Sequence, residues 1–153
     1  MAFILMQRKP GGYRQPTTAQ RDASRISKEE FNRWFQQIWN LTGASTRHHP
    51  APFPLELATR LVRMFSFSGD TVLDPFCGSG TTMVAAFRTG RNSIGIEIDP
   101  EYCRMAARYL KAENTDLFAS AELRFERASA GRASAVMEEP ALYEIRPAKK
   151  RLE

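Results

Sequence analysis

The chain has 153 residues, a formal net charge of +5 and a sequence pI near 9.6, and its length suits one domain of ordinary soluble composition. No apolar run approaches the ~20 residues of a membrane helix. The two cysteines, Cys77 and Cys103, and the two histidines, His48 and His49, show no metal-ligand spacing, and the thiols read as reduced and mostly buried.

The start, MAFILMQRKP, carries Arg8 and Lys9 after its apolar run, the reverse of a signal peptide, so the expected location is the cytoplasm. The run itself reads as a strand or a truncated edge. Residues 7–25 hold Pro10, Gly11, Gly12 and Pro16 without apolar period and read as an extended loop. There Arg8, Lys9, Arg14, Arg21 and Arg25 face only Asp22, with Tyr13 nearby. Such a segment is either a contact for nucleic-acid phosphates or a solvated tail.

Ser27 and Glu30 form an S-x-x-E capping box, followed by Phe31, Trp34, Phe35 and Ile38 at helical steps. That face packs on a core, docks a partner or lies beside a ligand. Pro50, Pro52 and Pro54 then force an extended path. LELATRLVRMFSF is a helix with Leu57, Leu61, Met64 and Phe65 on one face. TVLDPF reads as a buried strand, TTMVAAFRTG as a helix closed by Gly90, and NSIGIE as a second strand. Pro100 opens a helix through EYCRMAARYLKAEN, and AELRFERA is expected as a third strand. The expected organisation is a basic linker at 1–25, a partial domain at 26–127 and a flexible tail at 128–153.

Strand, helix, strand, helix, strand calls for an α/β fold with a parallel sheet. Gly78 and Gly80 let the chain turn sharply between the first strand and its helix. Glu97 stands nineteen residues after Gly78, at the end of the second strand, where a carboxylate accepts ribose hydroxyls. Loop and acid together point to an adenosine-containing ligand. A dinucleotide fingerprint wants a third glycine where Met83 stands, and a large residue there opposes close helix–strand packing. The Gly-Lys-Ser/Thr of a triphosphate loop is absent. Asp74, just before the loop, would repel a pyrophosphate and attract the sulfonium and ammonium of S-adenosylmethionine (SAM). The chemistry favours SAM over NAD.

HPAPFP, then VLDPFCGSGTT, then GIEIDPEY resembles the SAM-binding half of the DNA methyltransferases that modify adenine N6 or cytosine N4. The likeness covers roughly residues 45–110, with the proline-bearing segment before the glycine loop and the acidic strand end after it. It implies a Rossmann-like SAM-dependent methyltransferase fold, incomplete here, with about three parallel strands and flanking helices. It also implies that Asp74, Phe76, Gly78 and Gly80 line the methionine and ribose end of SAM, with Thr81 and Thr82 opening the helix beside it. Glu97 would hold the ribose, Ile98 would touch the adenine, and Pro52 and Phe53 would close over the cofactor.

The family's catalytic D-P-P-Y or S-P-P-Y, whose aromatic stacks on a flipped base, is not in these residues. Asp74-Pro75-Phe76-Cys77 is the glycine loop, and Asp99-Pro100-Glu101-Tyr102 starts a helix. The resemblance therefore implies a SAM-binding part that acts on DNA only with a second chain or N-terminal half supplying catalytic and recognition segments. No catalytic residue is assigned within it. The alternative is an inactive SAM- or DNA-binding remnant. The strand TVLDPF would present an unpaired apolar edge that invites pairing with another chain.

Overall fold

The computed structural model describes residues 3–8, 10–12, 14–43, 53–113 and 122–126. One compact unit, residues 1–123, carries every helix and strand among them. In the second, residues 124–153, only 124–126 are described, with an Arg124–Glu126 ion pair at 2.6 Å. The expected 128–153 tail lies outside the described residues.

The order is α1 (Thr18–Ala23), α2 (Lys28–Trp34), α3 (Leu55–Phe65), β1 (Thr71–Asp74), α4 (Thr81–Arg88), β2 (Asn92–Gly95) and α5 (Pro100–Glu113). α1 corrects the extended reading of residues 7–25. Its signal is a second capping box: Thr17 Oγ1 accepts from the Gln20 amide, and Gln20 Oε1 accepts from the Thr17 amide. The Ser27–Glu30 box at α2 forms as expected. That helix stops at Trp34, however, and of its apolar face only Trp34 is buried. Phe31 and Phe35 stack on each other while remaining exposed, as does Ile38.

Two strands form among the described residues, where the sequence suggested three or four. β1 and β2 run parallel, with Thr71 opposite Asn92 and Leu73 opposite Ile94. Residues 3–8 and 122–126 take no regular structure. The α/β pattern with a β1–α4–β2 crossover stands, in a small sheet.

α4 lies at the centre. Its Met83, Val84, Ala85 and Ala86 are all buried, and it touches α3, α5 and both strands. Cys77, Met83, Val84, Ala106 and Leu110 form one apolar cluster; Ala58, Val62 and Ala85 form another, with Leu55 packed against both. The inward face of α3 is thus Leu55, Ala58 and Val62, not the Leu57–Leu61–Met64–Phe65 stripe expected from spacing. Periodicity found the helix but not which stripe meets the sheet. A second α3 face carries Arg60 over the Trp39 ring and Arg63 over Trp34, and Arg63 also pairs with Glu30.

Two charged clamps close this arrangement. Arg91 is buried and donates to the Ser66 carbonyl at 2.8 Å and to the Thr89 carbonyl, just past the ends of α3 and α4. Burial first, and then the nearby Arg63 charge, lower its pKa. Arg88 forks onto Glu113 with two bonds of 2.7 Å, tying α4 to the end of α5.

Candidate cofactor site

The site lies where β1 and β2 end. Ile96 donates its amide to the Asp74 carbonyl and Cys77 donates to the Ile96 carbonyl, both at 2.9 Å, which extends the strand pairing into the loop. The chain then turns through Gly78 and Gly80, with φ of 51° and 90°. Both values are left-handed and suit glycine. Gly80 is the N-cap of α4 and brings no side-chain acceptor to its first turn, at Thr81 and Thr82. First-turn amides without a cap are available to an oxygen-bearing ligand.

Asp74 is partly buried, and its Oδ1 accepts from the Phe76 amide at 3.1 Å. Glu97 is the junction of the site. Its Oε2 accepts from the Gly78 amide at 2.8 Å, and its Oε1 accepts from the Ile98 and Asp99 amides at 2.9 Å each. Two apolar side chains border these groups in open solvent: Phe76 is 88% exposed and Ile98 98% exposed. Neither side chain belongs to the core.

Of the residues singled out from the sequence, Asp74 ends β1, Phe76, Gly78 and Gly80 lie in the turn after it, Thr81 and Thr82 open α4, and Glu97 and Ile98 lie in the loop after β2. Phe53 is exposed and lies two residues before Leu55, which packs on the Cys77–Met83 cluster under the glycine loop. Pro52, with His48, His49 and Pro50, lies outside the described residues.

Three features were missed. Asp99 receives a Glu97 bond on its amide, and its Oδ1 accepts from the Glu101 amide at 2.7 Å. The sequence signal was an acid directly before Pro100 at a helix start. Gly95 lies against Met83: a Cβ there would come within 2.9 Å of the Met83 Cε and of the Cys77 Sγ. That overturns the steric objection raised from Met83. Helix and strand do pack closely, with the glycine on the strand instead of the helix, so the choice of cofactor rests on Asp74. Leu55 is the third, because the apolar spacing of α3 points to a different stripe from the one that faces inward.

Cys77 is buried, and burial, with the Asp74 and Glu97 charges adding to it, pushes its thiol up to about 11. It stays protonated at neutral pH and is a packing residue, not a nucleophile. No group of metal-binding side chains occurs among the described residues, and no described helix is long and apolar enough to cross a membrane.

The basic segment has partners inside the protein. Arg14 pairs with Asp70, Arg25 with Asp22, and Arg21 donates to Gln15. Gln20 Nε2 bonds the Ser68 carbonyl, and Ser24 Oγ accepts from the Ser68 amide. These contacts hold α1 beside the start of β1, whereas the glycine loop follows its end.

Comparison with known proteins identifies a family. A family model described as DNA methylase, of the N6/N4 type, matches residues 2–108. The type II methyltransferase M.MjaI of Methanocaldococcus jannaschii is 50% identical over 102 residues, covering 63% of this chain and 33% of its own. M.MthZI of Methanothermobacter thermautotrophicus is 46% identical over 111 residues, covering 65% and 31%. TTHA0409 of Thermus thermophilus, assigned as a DNA modification methylase and solved with S-adenosyl-L-methionine, superposes with a TM-score of 0.62 at 54% identity. That match covers 71% of this chain and 42% of the other. The chain thus spans about a third of the length of the two type II methyltransferases.

Proposed function

Because the chain belongs to the N6/N4 DNA methylase family, we propose that its glycine loop and the acidic end of β2 hold S-adenosyl-L-methionine for methylation of adenine N6 or cytosine N4 in DNA. The observation that carries this reading is the bond from the Gly78 amide to the Glu97 carboxylate, which joins the two loops at one place. The residues fit the ligand. Asp74 offers negative charge, which suits a sulfonium and an ammonium and opposes a pyrophosphate. The uncapped start of α4 offers amides to a carboxylate. Ile98 offers apolar surface to the adenine, and Phe76 offers it at the methionine and ribose end. When bound, SAM supplies an electrophilic methyl group on its sulfonium. The work of this chain is to hold and orient the donor and to exclude water from it. With that function a cytoplasmic location is proposed.

Calorimetric titration of the chain with SAM, with NAD as the control, tests this reading. SAM is expected to bind and NAD to give no heat. A preference for NAD overturns the cofactor assignment.

Catalysis is assigned to a further segment bearing D-P-P-Y or S-P-P-Y, on the same polypeptide or on a second chain, since these 153 residues hold neither. Two features of the sheet support that completion. β1 pairs only with β2 among the described residues, and the register partners Leu73 and Ile94 are both exposed on one face. An open strand edge with an apolar face is a template for another segment. Labelled SAM and DNA should give no transfer with the 153 residues alone and transfer once a D-P-P-Y-bearing half is added. Full methylation by the chain as a monomer overturns the requirement.

A further inference from the structure

We propose that Glu97 is also a positioning residue, a latch that holds the glycine loop in shape before the cofactor arrives. The proposal rests on the cofactor reading for its purpose, and on geometry for its substance. A carboxylate has about four acceptor positions, and three of those on Glu97 are taken by backbone amides. Two of the donors, Ile98 and Asp99, are its immediate successors and would bond it in many turns. The third, Gly78, is nineteen residues away and belongs to the other loop. A residue present only to meet ribose hydroxyls has no need of that bond.

The Gly78 amide has reason to need it. Gly78 is buried, and its φ of 51° turns the chain out of the β1 line. Before it the Cys77 amide bonds the Ile96 carbonyl, and two residues after it the Gly80 amide bonds the Cys77 carbonyl. Gly78 is held by the Glu97 side chain. Without that acceptor a buried donor would be left unpaired in the middle of the turn, and the turn would open to find water. The latch therefore fixes the loop while the site is empty, and the ligand meets a loop already in place.

Hydrogen exchange of the full 153-residue chain, with no ligand present, decides the matter. Wild type is compared with Glu97→Gln and Glu97→Asp. In the first variant the one carbonyl oxygen serves the two donors at Ile98 and Asp99, so an amide group faces Gly78, donor against donor. In the second the carboxylate is withdrawn by a methylene and keeps its charge. Exchange at Gly78 is expected to rise roughly tenfold in both, while Val84, Ala85 and Ala86 inside α4 change by less than about twofold. Unchanged exchange at Gly78 overturns the latch. A uniform rise through α4 and α5 also overturns it, because Glu97 would then be a general stabiliser.

A binding cycle separates the latch from the ribose role. The probes are S-adenosylhomocysteine and its 2′,3′-dideoxy analogue. A latch predicts that Glu97→Gln weakens both, the analogue by about threefold to tenfold. A residue serving the ribose alone predicts no loss on the analogue, and that result counts against the proposal. A wild-type chain that binds neither probe overturns the cofactor reading and leaves the exchange experiment to decide the latch.

Discussion

Gly80 and Ala106 meet with no side chain between them: a Cβ on Gly80 would lie 2.9 Å from the Cβ of Ala106 and 3.2 Å from its Cα. The same glycine sits at φ 90° and begins α4. Gly80→Ala therefore incurs two costs at once, a left-handed conformation at about 1–2 kcal/mol and an overpacked helix contact at about 1–3 kcal/mol. Urea denaturation should show a loss of about 3 kcal/mol. Adding Ala106→Gly should recover the packing share and not the backbone share. A Gly80→Ala protein of wild-type stability would mean that the two helices do not meet there.

Arg91 ties the C-terminal ends of α3 and α4 through the carbonyls of Ser66 and Thr89. Arg91→Met keeps much of the volume and leaves both carbonyls without their charged donor. The expected loss is about 3 kcal/mol, from charge-assisted bonds removed in a buried setting. Arg91→Lys should not restore it, because one ammonium does not reproduce a fork that reaches two helix ends. Chemical denaturation of the two variants side by side checks this, and recovery by lysine would refute the fork argument.

Local signals were the legible part of the chain. The Ser27–Glu30 box, the Pro100 start and the glycine turn after TVLDPF each depend on a few neighbouring residues, and each forms where the spacing put it. The same local rule holds at α1, where Thr17 and Gln20 carry the box a few residues after the loop-favouring Pro10, Gly11 and Pro16. What depends on distant partners was hidden. Which stripe of α3 faces inward is decided by α4 and Val72, so Leu55, Ala58 and Val62 are chosen over the larger Leu57 and Leu61. The need for glycine at position 95 arises only once α4 lies on β2, where Met83 fills the space a Cβ would take. At the site, Asp74, the glycines and Glu97 were read from spacing. The Gly78–Glu97 bond was not, because it needs both loops folded.

Two ion pairs set an acid limit on stability. The Arg63 hydrogen bond holds Glu30 below its usual 4.5, and the Arg88 fork does the same for Glu113. A carboxylate lowered on folding contributes stability that is complete above its unfolded value and lost as pH falls through the folded value. The window is thus below pH 4.5. Each pair is partly solvated, so about 0.5–1 kcal/mol each is expected at pH 7. Urea midpoints of Glu30→Gln and Glu113→Gln should fall short of wild type at pH 7 and converge with it toward the acid end. Equal gaps at both pH values would contradict the linkage.

Phe76 and Ile98 separate binding from folding. With almost all of their surface in water, neither side chain contributes apolar burial to the core, so Phe76→Ala and Ile98→Ala should leave stability within about 0.5 kcal/mol of wild type. If a cofactor covers them, each truncation gives up part of the ~1.5–3 kcal/mol gained on burying a large apolar side chain. Affinity for S-adenosylhomocysteine should therefore fall by roughly tenfold per site. Calorimetry and urea denaturation on the same preparations give both numbers. A fall in stability with unchanged affinity would return these two residues to ordinary packing. Unchanged values of both would leave Asp74 and Glu97 as the groups that hold the ligand, without an apolar platform beside them.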